Sequence, residues 1–377
     1  MKKIKIALFV PWLKSKGGVE RALLMILSDK KYDTDIYTFF YDKDATFDEF
    51  KKYNITVLRN SAPNGFIMRG INLFGAILRA KIPNLKDYDI FMISTAGIAE
   101  LITFRNRHRT TVALCHTPLR AAHTMYDYYR SQGLKNSALM PIFSKVYTIL
   151  ERAAWKNIGY ALVFSNEVKN RLIDYNLISK DRIFNLGPHV NYDRVKRSKT
   201  TKKIIFYPSR FVRYKRQELA IEAFKKSTLP KKGFKLILGG FVEDRQYFEE
   251  LKEMADKNIS VEENLSEKRL NDLYSSCYAT LFMAINEDTG LTPLESLSYG
   301  KPVISVNEGG PKEFIKDGVN GFLIEAHPEL IAKALDKLAD KKTYRRLRQG
   351  ALKSKRYDEK GFLSNLDSAI GKIIRNA

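Results

Sequence analysis

Short apolar, β-branched runs alternate with stretches of helical periodicity along almost the whole of this chain. Few architectures accept that pattern. A strand buried on both faces reads as a continuous apolar run, and parallel strands need a crossover connection between them, usually a helix. Ile4–Val10, Thr34–Phe40, Ile55–Leu58, Ile90–Ser94, Thr111–Cys115, Ala161–Ser165 and Arg182–Leu186 predict a first set of strands. Between the first two, Val19, Ala22, Leu23, Ile26 and Leu27 form one helical stripe. Asn191–Lys203 is polar, basic and aperiodic, and reads as a linker. A second alternation follows. Its strands are predicted at Ile204–Tyr207, Lys235–Gly239, Ile259–Glu262, Ala279–Ile285 and Val303–Val306, with helices at Arg216–Lys226, Asp244–Asp256 and Glu267–Ser275. Amphipathic helices at Pro328–Ala339, Thr343–Leu352 and Lys360–Ile374 close the chain. The fold class is α/β, with two Rossmann-like domains whose parallel sheets face across a cleft. The expected boundaries are 1–192, 200–355 and a terminal helical segment at 356–377 that packs back on the first domain. A length of 377 residues, 44% of them hydrophobic, suffices for two cores.

Composition narrows the chemistry. Cys115 and Cys277 lie far apart inside apolar runs and read as small buried hydrophobes. The five His, at 108, 116, 123, 189 and 327, show no metal-ligand spacing. The start, MKKIKIALFVPWL, has the charge and apolar run of a leader. The run is short and β-branched, however, and meets Pro11 and Trp12 instead of a small-residue cleavage site, so a first strand fits better. No stretch approaches the roughly 18 apolar residues of a spanning helix. The net charge of +23 names two kinds of partner, nucleic acid and an anionic membrane surface, beside the bland reading of a solvated basic surface.

Several motifs fall where strands give way to helices. The densest is EDTGLTPLESLSYGKPVISVNEGGPKEFI, Glu287 to Ile315. Glu287 and Glu295 are eight apart, but Gly290 and Pro293 exclude a single continuous helix. The segment reads as strand, loop and helix, with Thr292 as N-cap, Pro293 first in the helix and Glu295 in its first turn. Both carboxylates then face the carboxyl end of a strand, where open α/β sheets bind ligands. Lys16-Gly17-Gly18-Val19-Glu20 joins the first strand to the first helix and suits an anion at a helix N-terminus; a plain tight turn is equally compatible. Arg210 and Lys215 follow the first strand of the second half and suit a diphosphate, or form a solvated basic loop, with both side chains expected to be exposed. His116-Thr117-Pro118-Leu119-Arg120 follows Thr111–Cys115, with His123 to Tyr126 just beyond. Asp33/Asp35, Asp42/Asp44 and Asp87/Asp89 have the spacing of a metal-binding pair, but flank strands away from the other motifs and read as turn residues. Phe66–Ile82 is basic and amphipathic; a core helix is the preferred reading and a membrane-surface helix the second.

Taken in order, these motifs resemble the retaining GT-B glycosyltransferases of family four. The EDxGLTPLE, GKPVI and GGPKE variants are most similar to the mannosyltransferase-like branch. The chain departs from the commoner Glu-Gly-Phe-Gly-Leu-Pro loop at Asp288, Thr289 and Thr292. The resemblance implies hexosyl transfer, leaning to mannose, from a nucleotide diphosphate sugar such as GDP-mannose, or a UDP-sugar, to a glycan or lipid-linked acceptor. It implies retention of configuration, no catalytic metal, no cofactor and no nucleic-acid partner. It places His116, Arg210, Lys215 and Glu287 in catalysis. Donor contacts fall to Gly17, Gly18, Arg210, Lys215, Glu287, Gly290, Leu291, Thr292, Glu295, Gly309 and Gly310, and acceptor contacts to Arg120 and Tyr126. Ser165-Asn166 matches a structural segment. The implied location is cytoplasmic, peripheral on the inner face of the cell membrane. A GT-B-like sugar-nucleotide epimerase and a basic nucleic-acid-binding α/β protein are the alternatives.

Overall fold

The computed structural model describes residues 3–58, 66–131, 139–198 and 200–376, and the side chains of 66–72 fall outside that description. The chain forms two units. The first comprises Met1–Gly187 and Glu359–Ala377; the second comprises Pro188–Asp358.

The strands of the first unit are β1 (Ile4–Phe9), β2 (Trp12–Leu13), β3 (Tyr32–Thr38), β4 (Phe40–Tyr41), β5 (Ile55–Val57), β6 (Ile90–Thr95), β7 (Thr111–Cys115), β8 (Tyr160–Val163) and β9 (Ile183–Asn185). Seven of them build a parallel sheet in the order β5-β3-β1-β6-β7-β8-β9, and β2 with β4 forms a small separate ribbon. Thr34–Phe40 was expected as one strand. It is divided because Phe39 turns inward and Thr38 Oγ1 accepts the Phe40 N–H at 3.3 Å. The inward faces of β1, β6 and β7 carry Ile6, Leu8, Ile90, Met92, Val112 and Leu114, all buried. Phe362, Leu366, Ala369, Ile370 and Ile373 of the terminal helix Glu359–Arg375 belong to the same core. The helix Phe66–Arg79 packs its described part inward: Ile77 is buried, and Leu73, Phe74 and Leu78 lie against the core.

The second unit has β10 (Ile204–Pro208), β11 (Lys235–Gly240), β12 (Ile259–Glu263), β13 (Ala279–Phe282), β14 (Val303–Val306) and β15 (Gly321–Ile324), in the parallel order β12-β11-β10-β13-β14-β15. The stretch read as a linker is tied into this unit. Arg197 Nη2 donates to the Ser298 carbonyl at 2.8 Å, and the Tyr299 hydroxyl donates to the Arg194 carbonyl at 3.2 Å. Both large sheets start at a central strand, run outward on one side, then return to continue on the other. The order reverses between β1 and β6 in one unit and between β10 and β13 in the other. Such reversals open a crevice at the carboxyl ends of the strands.

Candidate functional site

In the second unit, the loops that follow β10, β13 and β14 occupy adjacent strand ends. After β10 the chain makes a turn at Arg213–Lys215, and Arg216 takes a left-handed φ of 51° before the helix Gln217–Lys226. This turn carries Lys215 beneath the loop. Its side chain is only 8% exposed and its Nζ lies 2.5 Å from Glu287 Oε2. The expectation of an exposed Lys215 is therefore corrected: the ion pair, together with the faces of Tyr214 and Phe282 at 5.2 and 5.5 Å, makes burial of the ammonium tolerable. Arg210 does stay exposed, held by Glu243 and by the Tyr214 hydroxyl at 2.7 Å. Buried Tyr207 laces two loops: its hydroxyl donates to the Lys215 carbonyl and accepts the Met283 N–H at 3.0 Å. Arg216 pairs with Glu308 at 2.8 Å, and Glu308 also accepts the Asn286 N–H, which ties in the loop after β14.

The glycines explain how the loops come so close. Gly309 has φ 65° and ψ −154°, a conformation essentially confined to glycine, and a Cβ there would sit 2.2 Å from the Glu287 carbonyl oxygen. A Cβ on Gly310 would fall 2.6 Å from the Thr289 oxygen. The Gly310 N–H donates to the Glu287 carbonyl at 2.8 Å, so this amide fixes the carboxylate loop. Gly290, not Thr292, is the N-cap of the helix Leu291–Ser298, with φ 85°. Leu291 and Thr292 are the first two helical residues, Pro293 is third, and Glu295 lies beyond the first turn. Glycine admits the left-handed entry that a threonine cap would not. Glu295 accepts a 2.8 Å hydrogen bond from Tyr274, whose ring stacks on Tyr299. Burial and the adjacent carboxylate raise the Tyr274 hydroxyl well above its ordinary value, so it remains a donor.

In the first unit, Gly17 caps the helix Gly18–Ser28 and donates its N–H to Glu20 Oε2 at 3.2 Å. Glu20 is buried and also accepts from Ser15 at 2.6 Å, so the acid of this motif shapes the loop itself. His116 stands at the end of β7. Its Nε2 is 3.0 Å from Ser94 Oγ, and its ring stacks on Phe164 at 5.0 Å. Burial pushes its pKa down to about 4, leaving a neutral imidazole near pH 7. Arg120 and Tyr126 are half-buried nearby in sequence, Tyr126 opening the short helix Tyr126–Ser131. Ser165 is the N-cap of Asn166–Asp174 and accepts from the Val168 N–H.

Sequence reasoning missed a buried polar network beside this strand end. Glu100 accepts from Thr95 Oγ1 and from the Tyr147 hydroxyl, each at 2.6 Å, and from the Ile98 N–H at 3.0 Å. Glu151, also fully buried, lies 2.6 Å from His123 Nε2, and His123 stacks on Tyr175 at 4.0 Å. Burial, then the Glu151 charge, raises Glu100 above the usual carboxyl range. No local motif links positions 95, 100, 123, 147 and 151; only a carboxylate within an otherwise apolar stretch at Glu100 gave a signal.

The Asp pairs have structural partners. Asp35 accepts from Tyr88 and Asn54, Asp42 from the Asp44 and Ala45 amides, and Asp89 from the Lys5 amide. Among the described residues, no three His, Cys, Asp or Glu side chains are grouped as metal ligands.

Residues 191–354 match the family described as glycosyl transferases group 1. The chain is 24% identical to the Saccharomyces cerevisiae alpha-1,3/1,6-mannosyltransferase ALG2, covering 95% of this chain and 83% of the relative. It is 23% identical to the mouse protein of the same name, covering 86% and 85%. Among solved structures, it resembles Anabaena Alr3699/HepE in complex with UDP and glucose, with a TM-score of 0.72 and 16% identity over 98% of this chain and all of that one. The paired parallel-sheet units and the ordered strand-end motifs agree with these likenesses: the fold is that of the GT-B glycosyltransferases, residues 191–354 match glycosyl transferases group 1, and the two relatives matched over most of the chain are mannosyltransferases.

Proposed function

We propose that this chain moves a hexose, mannose in our reading, from a nucleotide diphosphate sugar to a hydroxyl of a lipid-linked glycan, with retention of configuration and without a metal. The observation that carries the reading is the Lys215–Glu287 pair at the β10–β13 reversal, with exposed Arg210 beside it. Arg210 offers a planar fork to the diphosphate, and Lys215 a compact charge held in place before the donor arrives. A diphosphate entering beside Lys215 shares its ammonium with Glu287, whose carboxylate orients the sugar hydroxyls. Glu295, positioned by Tyr274, takes the ribose hydroxyls. His116, uncharged, offers the sugar one hydrogen bond without competing for the phosphate. The mannosyl donor is favoured by the names of the ALG2 relatives, and a nucleotide ligand by the UDP bound to HepE. Among the described residues no helix is long and apolar enough to cross a membrane. The charge of +23 favours peripheral docking on an anionic leaflet at the cytoplasmic face.

A thermal-shift panel of GDP-, UDP-, ADP- and CMP-sugars tests the donor. At about 100 times its dissociation constant the true donor stabilises the fold by about 2.7 kcal/mol. The expected result is a shift with GDP-mannose that exceeds the others. No shift with any nucleotide sugar overturns the proposal, and the anomeric configuration of the product, read by NMR, tests retention.

A further inference from the structure

The helix Met140–Trp155 has two apolar faces, and only one of them is covered. Inward it buries Tyr147, Glu151, Ala154 and Trp155, and through Tyr147 and Glu151 it supports the polar network at the end of β6. Outward it exposes Leu139 (56%), Ile142 (62%), Phe143 (43%), Val146 (51%) and Ile149 (62%). These are five of the thirteen large exposed hydrophobics among the described residues, gathered within eleven positions; the others are dispersed along the chain. At 3.6 residues per turn, Ile142, Val146 and Ile149 fall on one line of the helix, and Lys145, Arg152 and Lys156 on a neighbouring line. All three cations are exposed, and the helix's one acid, Glu151, is buried on the opposite side. An exposed apolar line bordered by cations, with no exposed acid, is the pattern of a helix lying in a membrane interface.

We infer that the outer face of Met140–Trp155 is the surface on which this protein docks to an anionic lipid leaflet; the inference rests on the peripheral-membrane part of the function proposed above. Charge selects lipid over a second copy of the chain. Self-association through this face in a two-fold pair would set like-charged patches against each other, which is unfavourable. Anionic headgroups complement the cationic line, while the isoleucines and Val146 enter the boundary of the acyl region. The site differs from the one that sequence patterning suggested, because the described part of Phe66–Arg79 turns its apolar residues into the core. Since the inner face of the docked helix holds the network at the β6 end, docking also fixes how that strand end is presented to the leaflet.

The experiment is co-sedimentation with phosphatidylcholine vesicles containing zero to about 40% phosphatidylglycerol, at low salt and at about 0.5 M salt. Four proteins are compared: wild type, I142S/V146S/I149S, K145E/R152E/K156E and R79E/K81E. Circular dichroism and the nucleotide-sugar thermal shift are recorded for each. Wild-type binding is expected to rise with anionic lipid and weaken with salt. The serine variant is expected to lose at least about tenfold in partitioning, and the glutamate variant its dependence on anionic lipid, while R79E/K81E changes less than about twofold. Both helix variants should retain fold and donor binding, since every altered side chain is exposed. Wild-type partitioning by the two helix variants overturns the inference, as does dimerisation that the serine variant abolishes. Failure of the wild type itself to sediment at low salt with anionic vesicles overturns the peripheral-membrane reading as well, whereas the donor assignment stands or falls on the thermal shift alone.

Discussion

At the β10–β13 reversal of the second unit, a cation and a carboxylate meet side by side. At the β1–β6 reversal of the first, the nearby strand end is furnished with carboxylates, tyrosine and neutral imidazole. Corresponding strand ends in two sheets of one topology thus carry different charge patterns. The first arrangement sets an exposed guanidinium, Arg210, beside the paired ammonium of Lys215. The second holds buried polar groups in place without supplying net positive charge. The contrast teaches that topology provides the crevice and the side chains decide what enters it.

The largest effect should come from Lys215→Ala, which removes the cation and its ion pair with Glu287 in a mostly buried setting. Turnover should fall about 10²-fold or more. Breaking the pair should also cost about 3 kcal/mol, read as a shift in urea midpoint. Lys215→Met with Glu287→Gln should recover most of that stability but none of the activity. Arg210→Ala, at an exposed site, should lose comparable activity with at most about 1 kcal/mol of stability. If Lys215→Ala proves as stable as Arg210→Ala, the distinction between a buried and an exposed cation is wrong.

Gly309→Ala should be next. The added methyl meets the Glu287 carbonyl in a backbone conformation alanine avoids, so a loss of about 1–3 kcal/mol is expected, together with weakened donor binding by calorimetry. Unchanged donor affinity would show that the loop after β14 does not hold Glu287 in place.

Third is a stability slope. Glu100 has its folded pKa raised above 4.5, so its contribution is fully present at acid pH and is lost as pH rises through the folded value. Urea midpoints of wild type, measured upward from pH 4.5, should therefore carry a declining component that is absent in Glu100→Gln. Parallel curves for the two proteins would contradict a protonation-linked network. His116 has the opposite sign: its folded pKa of about 4, below the ordinary 6.5, stabilises above 6.5 and is lost as pH falls towards 4. Its ring protons, followed by NMR, should titrate near the lower value; titration near 6.5 would remove the neutral-imidazole half of the comparison. The smallest effect should be that of EDTA, with transfer activity unchanged if Arg210 and Lys215 supply the charge. Loss restored by Mn²⁺ or Mg²⁺ would mean that the cationic edge is completed by an ion.

Much of this contrast could be read from residues in order. Strand cores such as Thr111–Cys115 and Val303–Val306 are apolar throughout because helices cover both faces, and their limits were read correctly. The donor-side motifs are short and contiguous, so local order exposes them. The helix Met140–Trp155 was not foreseen because apolar residues on both faces erase the single stripe that reveals a surface helix. Edge strand β15 has only four residues and opens on glycine. The Thr292 cap was misplaced because the choice turned on the φ of Gly290, which residue type permits but does not dictate. The Glu100 network is assembled from distant positions by the fold, leaving no spacing to recognise.

The terminal helix has a consequence for the order of events during synthesis. Phe362, Leu366, Ile370 and Ile373 complete the core of the unit to which the first 187 residues belong, and Asp367 accepts from the Tyr32 hydroxyl at 2.8 Å. The core that these residues share with Met1–Gly187 is therefore complete only once Ile373 has been made, whereas Pro188–Asp358 is contiguous in sequence. The half-built first sheet must remain soluble in the interval, and a ribosome stalled before the last helix would leave it with an open apolar seam for chaperones to bind.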